Sequence, residues 1–504
     1  MNPPTGRPSL LLFLLLSGIG LGAAGQTCDQ VAQNGVTFVF DRSYPCGQFA
    51  NGDFWVTPDA AGGTVTITAI TPAFDGDHHG WEVNPADPVQ QGFDSRIGSF
   101  DGARVPSLPY AASGGESIVK GVSVAAGNCR PCLESAAVLT VVDEAPAGGG
   151  APFFRPPYPG SAKALVGVGS LRLDLLPALA PTPSAPTMAE VVADFQQPWL
   201  DHKVGWTGRA LHPIQSMPDY GADIAARAGN GALALLLQAD PGEKREAAIR
   251  VVQVGLDLYH AYLNGTRWSP SGGHSPGRRI LLAVAATLLD DAPMSTLLRQ
   301  APATDFGEDG SLTVGSQAGI ALWGQPCSEQ SYWDRFRFNS GSRSCVDPYG
   351  YIDGGERPGW SYQFCCNSSP WRGSALALRL LPELQCAWPA DLFLAYVDRW
   401  VAAGAHTQPD PCAGYDGDPD AYGITYGPDG AGGCIADTDP SDGIGRFPQD
   451  HGVNANQGSH GSPFHGEMWA AYRSSAPVEV PPCGLVFYDG FESGDTSSWS
   501  GAQP

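Results

Sequence analysis

The chain has 504 residues and a formal net charge of −23, with only 28 lysines and arginines, so it lacks the basic surplus that nucleic-acid binding needs. Hydrophobic residues make up 42% of the sequence, which is enough to fill a core in spite of 65 glycines and 45 prolines. We therefore expect a globular protein with long ordered loops and no nucleic-acid partner.

The first 25 residues have the order of a secretory signal peptide. An apolar run from Leu10 to Leu21 follows one basic residue and precedes the small residues Gly22 to Gly25. No later run reaches the roughly 18 apolar residues of a transmembrane helix. The sequence predicts cleavage near residue 25 and a secreted or cell-envelope protein without a membrane span.

Twelve cysteines in an exported chain predict disulfides, and their spacing favours local closure. The sequence leaves open how Cys365, Cys366, Cys386 and Cys483 are paired. The expected pairs are Cys28–Cys46, Cys129–Cys132, Cys327–Cys345 and Cys412–Cys434.

Period-two alternation of β-branched residues marks the start of the mature chain. It predicts a small antiparallel β domain which, with its linker, covers residues 26–160. The Pro- and Gly-rich stretch at 144–160 is the linker, or a strap across the next domain. The predicted strands are Gly35–Phe40, Thr64–Ile70, Ser117–Val122 and Ala136–Val142.

From residue 188 to 475 the apolar residues recur with helical spacing. Ile280–Leu289 is apolar on every side except for Thr287, so a second layer of helices is expected to surround it. We predict a mainly α protein, an (α/α) toroid or incomplete double-ring helical barrel, and the alternative is a flat bundle. The predicted helices are Tyr220–Gln238, Gly242–Leu263, Gly277–Leu289, Pro370–Leu384 and Ala390–Ala403.

Three predicted helix starts contain Ser-Pro: Ser275 and Ser369, which belong to helices given above, and Ser462, and they are 94 and 93 positions apart. If this spacing is an architectural period rather than a coincidence, the helix N-termini converge on one mouth, which is an anion site. Arg278 and Arg279 oppose the macrodipole of their helix, and this also suggests an anion. The candidates at the mouth are His274, Arg278, Asn367, Arg372, His460 and His465, with His212 and Tyr220 from a looser helix start.

The segment 347–367 combines acids, an arginine and aromatic rings immediately before a helix. Arg357, Trp360 and Tyr362 fit a sugar subsite, where rings stack and charges hold hydroxyl or carboxylate groups, and the alternative is a packed lid. The acids between Asp416 and Asp442 could hold a structural Ca²⁺, although a solvated loop is the alternative. The sequence contains no HExxH zinc-protease, P-loop, dinucleotide-binding or GxSxG motif.

The signal peptide, the helical region and a mouth rich in His, Tyr, Asn and Arg resemble the secreted (α/α)-toroid polysaccharide lyases, which act on alginate, glucuronan, chondroitin or heparin. In those families the β domain usually follows the toroid, whereas here it precedes it. Residues 484–504 resemble a short terminal motif of exported proteins from Gram-negative bacteria. The resemblance implies a toroid catalytic domain at 188–475 that cleaves a uronic-acid polymer by β-elimination and needs no metal or cofactor.

Transferred to this sequence, the lyase mechanism gives each candidate a role. The substrate carboxylate would be held by Arg278, Arg372 and Asn367, and the base would be His274 or His212. Tyr362 or Tyr220 would be the acid. Two alternatives stay open: a glycoside hydrolase that uses Asp353 and Glu356, and a non-catalytic glycan-binding protein. The further candidates are His465 for catalysis and Arg357, Trp360 and His460 for substrate binding.

Overall fold

The computed structural model describes residues 26–315, 319–326, 346, 353, 362–404, 460–477 and 483, together with the backbone of four short strands. The predicted signal peptide, the tail at 484–504, Glu356, Arg357 and Trp360 lie outside the described residues, as does nearly all of the acidic segment 416–442. Within the described part no helix is long and apolar enough to cross a membrane. The four short strands are Ala421–Tyr422, Thr425–Pro428, Cys434–Ala436 and Phe447–Pro448.

Eight strands form one curled, half-barrel sheet near the start of the chain, in the order β5-β7-β8-β3-β2-β4-β6 with β1 paired to β2. Asn34 and Gly35, with φ of 49° and 77°, make the two-residue turn that joins the first two strands. All the predicted strands are present, but β3 runs parallel to β8, so the sheet is mixed rather than antiparallel. The strands are β1 (Thr27–Gln33), β2 (Val36–Gln48), β3 (Phe54–Val56), β4 (Thr64–Thr71), β5 (Trp81–Val83), β6 (Tyr110–Ser113), β7 (Glu116–Ser123) and β8 (Leu133–Val141).

The disulfides agree with the sequence where the structure describes them. Cys28–Cys46 links β1 to β2, and Cys129–Cys132 closes the turn before β8, so both predictions are confirmed. The four cysteines left open pair as Cys365–Cys366 and Cys386–Cys483. The expected pairs Cys327–Cys345 and Cys412–Cys434 involve residues outside the described part.

The five predicted helices are present within a few residues of their expected bounds. Asp291 caps the helix that follows it by accepting from the Met294 N–H at 2.8 Å, as its Asp-Ala-Pro sequence suggests. A two-stranded ladder of β9 (Leu312–Val314) and β10 (Ala321–Trp323) lies among the helices. The helices are α1 (Met188–Asp194), α2 (Gly221–Ala234), α3 (Pro241–Leu263), α4 (Arg278–Leu288), α5 (Ala292–Gln300), α6 (Gly307–Gly310), α7 (Ser368–Leu380), α8 (Asp391–Ala403) and α9 (Pro463–Tyr472).

The prediction of a mainly α toroid was wrong, because helix accounts for 38% and strand for 20% of the structure. The buried helix α4 packs on α2, α3 and α5. Part of the cover expected from an outer ring comes instead from residues 145–187, here called the strap. Its backbone donates from Arg172 to Leu288 O and from Leu179 to Leu236 O, both within 2.9 Å. Its leucines pack on the helical core at positions Leu171, Leu173, Leu175, Leu176 and Leu179.

One buried guanidinium joins the sheet, the strap and the helices. Arg155 of the strap donates from Nε to Asp53 before β3 at 2.6 Å, and from Nη2 to Asp257 on α3 at 2.5 Å. All three side chains are almost fully excluded from water. Burial by itself would lower the pKa of Arg155, but Asp257 and Asp53 outweigh it and raise that pKa. Arg155 is therefore permanently charged, and its ion pairs connect the sheet, the strap and the helices.

Replacing Arg155 with methionine is expected to lower the free energy of unfolding by about 3–5 kcal/mol, because two buried carboxylates lose their counter-charge. Urea denaturation at pH 7, followed by tryptophan fluorescence, measures the loss. The matched control is Arg42→Met, which removes the exposed ion pair with Asp59 and should leave the midpoint unchanged. Equal midpoints for the two variants would contradict the central role of Arg155.

Candidate functional site

The N-terminal ends of three helices, α2, α4 and α7, lie against one another. His460, which lies two positions before the cap of α9, adjoins them. A Cβ on Gly273, just before α4, would overlap Cys366 and come within 2.5 Å of the Tyr220 hydroxyl. His460 contacts Asp223 in the first turn of α2, with Nδ1 and Oδ1 2.6 Å apart. The structure therefore brings together the helix ends that the Ser-Pro spacing suggested.

The helices do not all begin where the Ser-Pro pairs predicted. Gly277, in a left-handed conformation with φ of 101°, caps α4, and the Ser275 hydroxyl donates to Ser269 O instead. Ser369 lies inside α7, which continues a π-helical turn at Gln363–Asn367. Ser462 stands at the N-cap position of α9, as predicted.

An aromatic and cationic stack occupies this meeting point. The Arg209 guanidinium lies 4.6 Å from the ring centres of both Trp206 and Tyr220. The His274 ring meets those two aromatic rings edge-on, at 4.6 Å and 5.2 Å between centroids. Arg130 covers Trp206 at 4.8 Å, and Trp206 is nevertheless 56% exposed. We call these five residues the aromatic–arginine cluster.

Sequence reasoning missed three members of the cluster, Arg130, Trp206 and Arg209. The stretch Gly205–Arg209, which reads GWTGR, places an aromatic ring beside an arginine in a Gly-rich turn. That is the composition that drew attention to the segment 347–367. The same criterion applied along the whole chain would have found Trp206 and Arg209, whereas Arg130 has no such signal.

The charges around Trp206 do not balance. Asp219 accepts from Arg209 at 2.6 Å and lies 3.5 Å from Arg130, so one carboxylate faces two guanidinium groups. Burial, together with Arg209 and two further arginines, lowers the pKa of His274 to about 4. Burial also raises the pKa of Tyr220. At neutral pH the cluster therefore holds a neutral imidazole and a protonated phenol, with Asp219 shared by the two arginines and Asp223 near Tyr220.

A cavity of about 370 Å³ opens beside the cluster. It reaches from His274 along the backbone of residues 268–271 to Arg267. Within the described residues, no group of three or more His, Cys, Asp or Glu side chains could hold a metal ion. Other side chains that line the cavity are Asp201, Lys203, Arg209, His212 and Arg278.

Arg278, predicted to bind the substrate carboxylate, is already paired inside the protein. Its Nε and Nη2 donate to the two oxygens of Asp201 at 2.6 Å and 3.0 Å. Its Nη1 donates to the carbonyl oxygens of His274 and Pro276, each at 2.9 Å. Arg278 therefore holds the backbone under His274 in place and has no bidentate fork turned toward a ligand.

The other charges at the start of α4 are also balanced by side chains of the protein. Arg279 forms an ion pair with Asp309. The Gly277 N–H donates to Glu308 at 2.6 Å, where burial raises the pKa of the carboxyl to about 7. The anions that the reversed dipole of α4 suggested are thus carboxylates of this chain.

His212 lines the cavity, but both of its nitrogens face acceptors. Nε2 lies 3.1 Å from Asp201, and Nδ1 lies 2.9 Å from Pro218 O. The Nδ1 atom of His274, in contrast, has no hydrogen-bond partner among the described residues. This atom is itself buried, so the difference is one of hydrogen bonding: His274 is less constrained than His212, and it is the histidine that we keep as the candidate base.

Tyr362 and Asn367 frame the other side of the site. Tyr362 is 51% exposed, and its ring lies against Gly272. The amide of Asn367 is buried, where it donates to Gly272 O at 3.2 Å and accepts from the Trp323 indole at 3.2 Å. Tyr362 is thus open to a ligand, whereas Asn367 fixes the loop in front of His274.

His465 lies deeper, where three helices meet. It projects from α9 into a notch between α2 and α7, and a Cβ on Gly373 would overlap its ring. A Cβ on Gly229 would lie 2.9 Å from the same ring. Burial and the neighbouring Arg372 lower the pKa of His465 to about 3. His465 and Arg372 are both buried, so the structure places these two candidates in the helix interface rather than at the cavity.

The alternative catalytic acid, Asp353, is also buried and fully engaged. Arg399 donates to its two oxygens at 2.6 Å and 2.7 Å. The Trp323 N–H and the Gln363 amide donate to it as well. Its expected partner Glu356 lies outside the described residues, so no acid pair is described here.

Substituting alanine for Gly373 is expected to destabilise the protein by about 1–3 kcal/mol, because the new methyl group displaces the His465 ring. In a protein that already carries His465→Ala, the substitution Gly373→Ala should cost less stability, because the ring that the methyl group displaces is absent. A double-mutant cycle from urea midpoints measures the coupling. Strictly additive losses would contradict the notch.

Stability should also fall as pH falls, because the folded state keeps His465 neutral down to about pH 3, whereas the unfolded histidine binds a proton near 6.5. The contribution of neutral His465 to the free energy of unfolding is complete above pH 6.5 and decreases below it. Between pH 7 and 5, His465→Gln is expected to lose less stability than the wild type in urea titrations. Parallel pH curves for the two proteins would exclude His465 as a source of the acid sensitivity.

Comparison with known proteins found no matching family model, no matching curated protein and no matching solved structure.

Proposed function

We propose that the protein binds a uronic-acid-containing polysaccharide at the aromatic–arginine cluster and cleaves it by β-elimination. The observation that carries the proposal is the neutral His274, held between Trp206 and Tyr220 beside Arg130 and Arg209, which share one carboxylate. A uronate offers a carboxylate to the arginines and an apolar ring face to the exposed indole. The ligand and the site are therefore complementary in both charge and shape.

In this proposal, Arg209 and Arg130 take over the carboxylate-binding role first given to Arg278. Neutralising the substrate carboxylate acidifies the proton on the adjacent carbon, and His274 removes that proton. The electron pair forms a carbon–carbon double bond while the bond to the leaving glycosidic oxygen breaks. Tyr220 donates its proton to that oxygen, and its raised pKa keeps it protonated until then.

Substrate binding strengthens this base. Positive neighbours contribute to the low pKa of His274, so a bound carboxylate that offsets Arg209 and Arg130 raises that pKa. The free enzyme therefore holds a weak base, and the complex holds a stronger one. Tyr362, exposed on the opposite side, supplies a second ring against which a sugar unit can stack.

The test is the appearance of the ultraviolet absorbance of a conjugated double bond when the protein is mixed with alginate, glucuronan or glycosaminoglycans. His274→Gln and Tyr220→Phe are each expected to lower the rate by about a hundredfold or more, because each removes a proton-transfer group. The control is His78→Gln, an exposed histidine in a loop of the sheet, which should keep the wild-type rate. The activity should decrease toward acid as His274 becomes protonated.

Other outcomes separate the competing functions. New reducing ends without the absorbance would overturn elimination in favour of hydrolysis. Binding without either product would make the protein a glycan-binding module, and in that case Trp206→Ala should still weaken the binding. No binding to any of these polymers would refute the proposal altogether.

A further inference from the structure

A second groove runs along α5, with a volume of about 590 Å³. Pro293, Thr296, Leu297 and Gln300 lie on one face of the helix and form one wall, since residues three and four apart share a face. Thr296 and Gln300 are exposed, so their polar groups are available to a ligand. Tyr262, which is buried, also lines the groove.

Arg267 lines both this groove and the cavity of the aromatic–arginine cluster. Its guanidinium lies 3.8 Å from the centre of the Tyr262 ring. Its Nε pairs with Asp305 at 3.0 Å, and its Nη1 donates to the carbonyl oxygens of Tyr262 and Thr266. The Nη2 group makes no hydrogen bond among the described residues, and the side chain is 39% exposed. A rigidly held guanidinium with one open edge therefore stands where the two depressions join.

The connection between the two depressions is continuous along the chain. Residues 267–271, followed by His274 and Ser275, line the cavity of the cluster, and Arg267 continues into the groove. Arg267 is thus shared by the cavity and the groove.

We propose that the groove along α5 is a further binding site for the same anionic polysaccharide. It takes the sugar units that extend beyond the unit held at the aromatic–arginine cluster. Arg267 binds a carboxylate at the junction, and Leu297 contacts the apolar face of a sugar. Thr296 and Gln300 hydrogen-bond to hydroxyl groups. This inference rests on the proposed function, because it takes the same ligand class and gives it a direction across the surface.

The experiment introduces charge into the groove and varies ligand length. Binding of size-fractionated oligosaccharides of alginate, glucuronan and glycosaminoglycans to the full chain is measured by calorimetry for the protein with His274→Gln, which suppresses cleavage, and for the same protein with Thr296→Glu or Thr296→Lys added. For long oligosaccharides, Thr296→Glu is expected to weaken binding about tenfold, and Thr296→Lys to strengthen it. For the shortest ones that bind, neither variant should change the dissociation constant.

The matched control is Ser295→Glu, which places the same charge on the neighbouring residue of α5, outside the groove lining. It should bind every length as the wild type does, and thermal melting shows whether the variants remain equally folded. If Thr296→Glu and Ser295→Glu behave alike at every length while binding persists, the groove is not part of the site and the proposed function still stands. If the wild type binds none of these polymers at any length, the proposed function itself fails.

Discussion

The junction between the sheet and the helices depends on one buried cation, Arg155. Arg155 is buried between Asp53 of the sheet region and Asp257 of α3. If Arg155 were removed, each acid would be left as an isolated buried charge. Asp257 also accepts from the Tyr158 N–H, and the Tyr158 hydroxyl lies 3.2 Å from His202. His202 adjoins Asp201, which holds Arg278. Polar contacts, with one link through the backbone between His202 and Asp201, thus connect Arg155 to the wall of the candidate site.

The candidate site differs in charge from the chain as a whole. The chain is strongly acidic, yet around Trp206 two guanidinium groups share one carboxylate. Low-dielectric walls focus such a local field, so an anionic ligand can be attracted to one point of an otherwise repulsive surface. Burial and this field together lower the pKa of His274, and in the proposed function the contribution of the field links the binding of a carboxylate to the strength of the base.

Elements with local signals were predictable from the sequence, because alternation and helical spacing are properties of neighbouring residues. The four strands β2, β4, β7 and β8, the five helices and two disulfides belong to this group. The sequence of a helix such as α4, whose body is apolar on nearly every side, shows that other elements must cover it. It does not show which elements these are. The leucines of the strap supply part of that cover without any helical or strand period, so the predicted outer ring of helices was an over-interpretation.

The candidate site was predictable in part for the same reason. Repeated helix starts indicated a shared mouth, and His274, Tyr220, Tyr362 and His460 do gather there. The partners of charged groups could not be predicted, because they are distant in sequence: Asp201 stands 77 positions from Arg278. Without that contact, a structural ion pair looks like a free anion-binding arginine.

Two disulfides of the helical region act on different states of the chain. Cys386–Cys483 spans 97 positions, and a closed loop of that size restricts the unfolded chain by about 4–5 kcal/mol of conformational entropy. Cys365–Cys366 joins adjacent residues, so it closes no loop and restricts the unfolded ensemble very little. Its effect is confined to the native state, where Cys366 is packed against Gly273 beneath the cluster. One bridge therefore contributes to whether the protein folds, and the other to the shape of the surface that the folded protein presents.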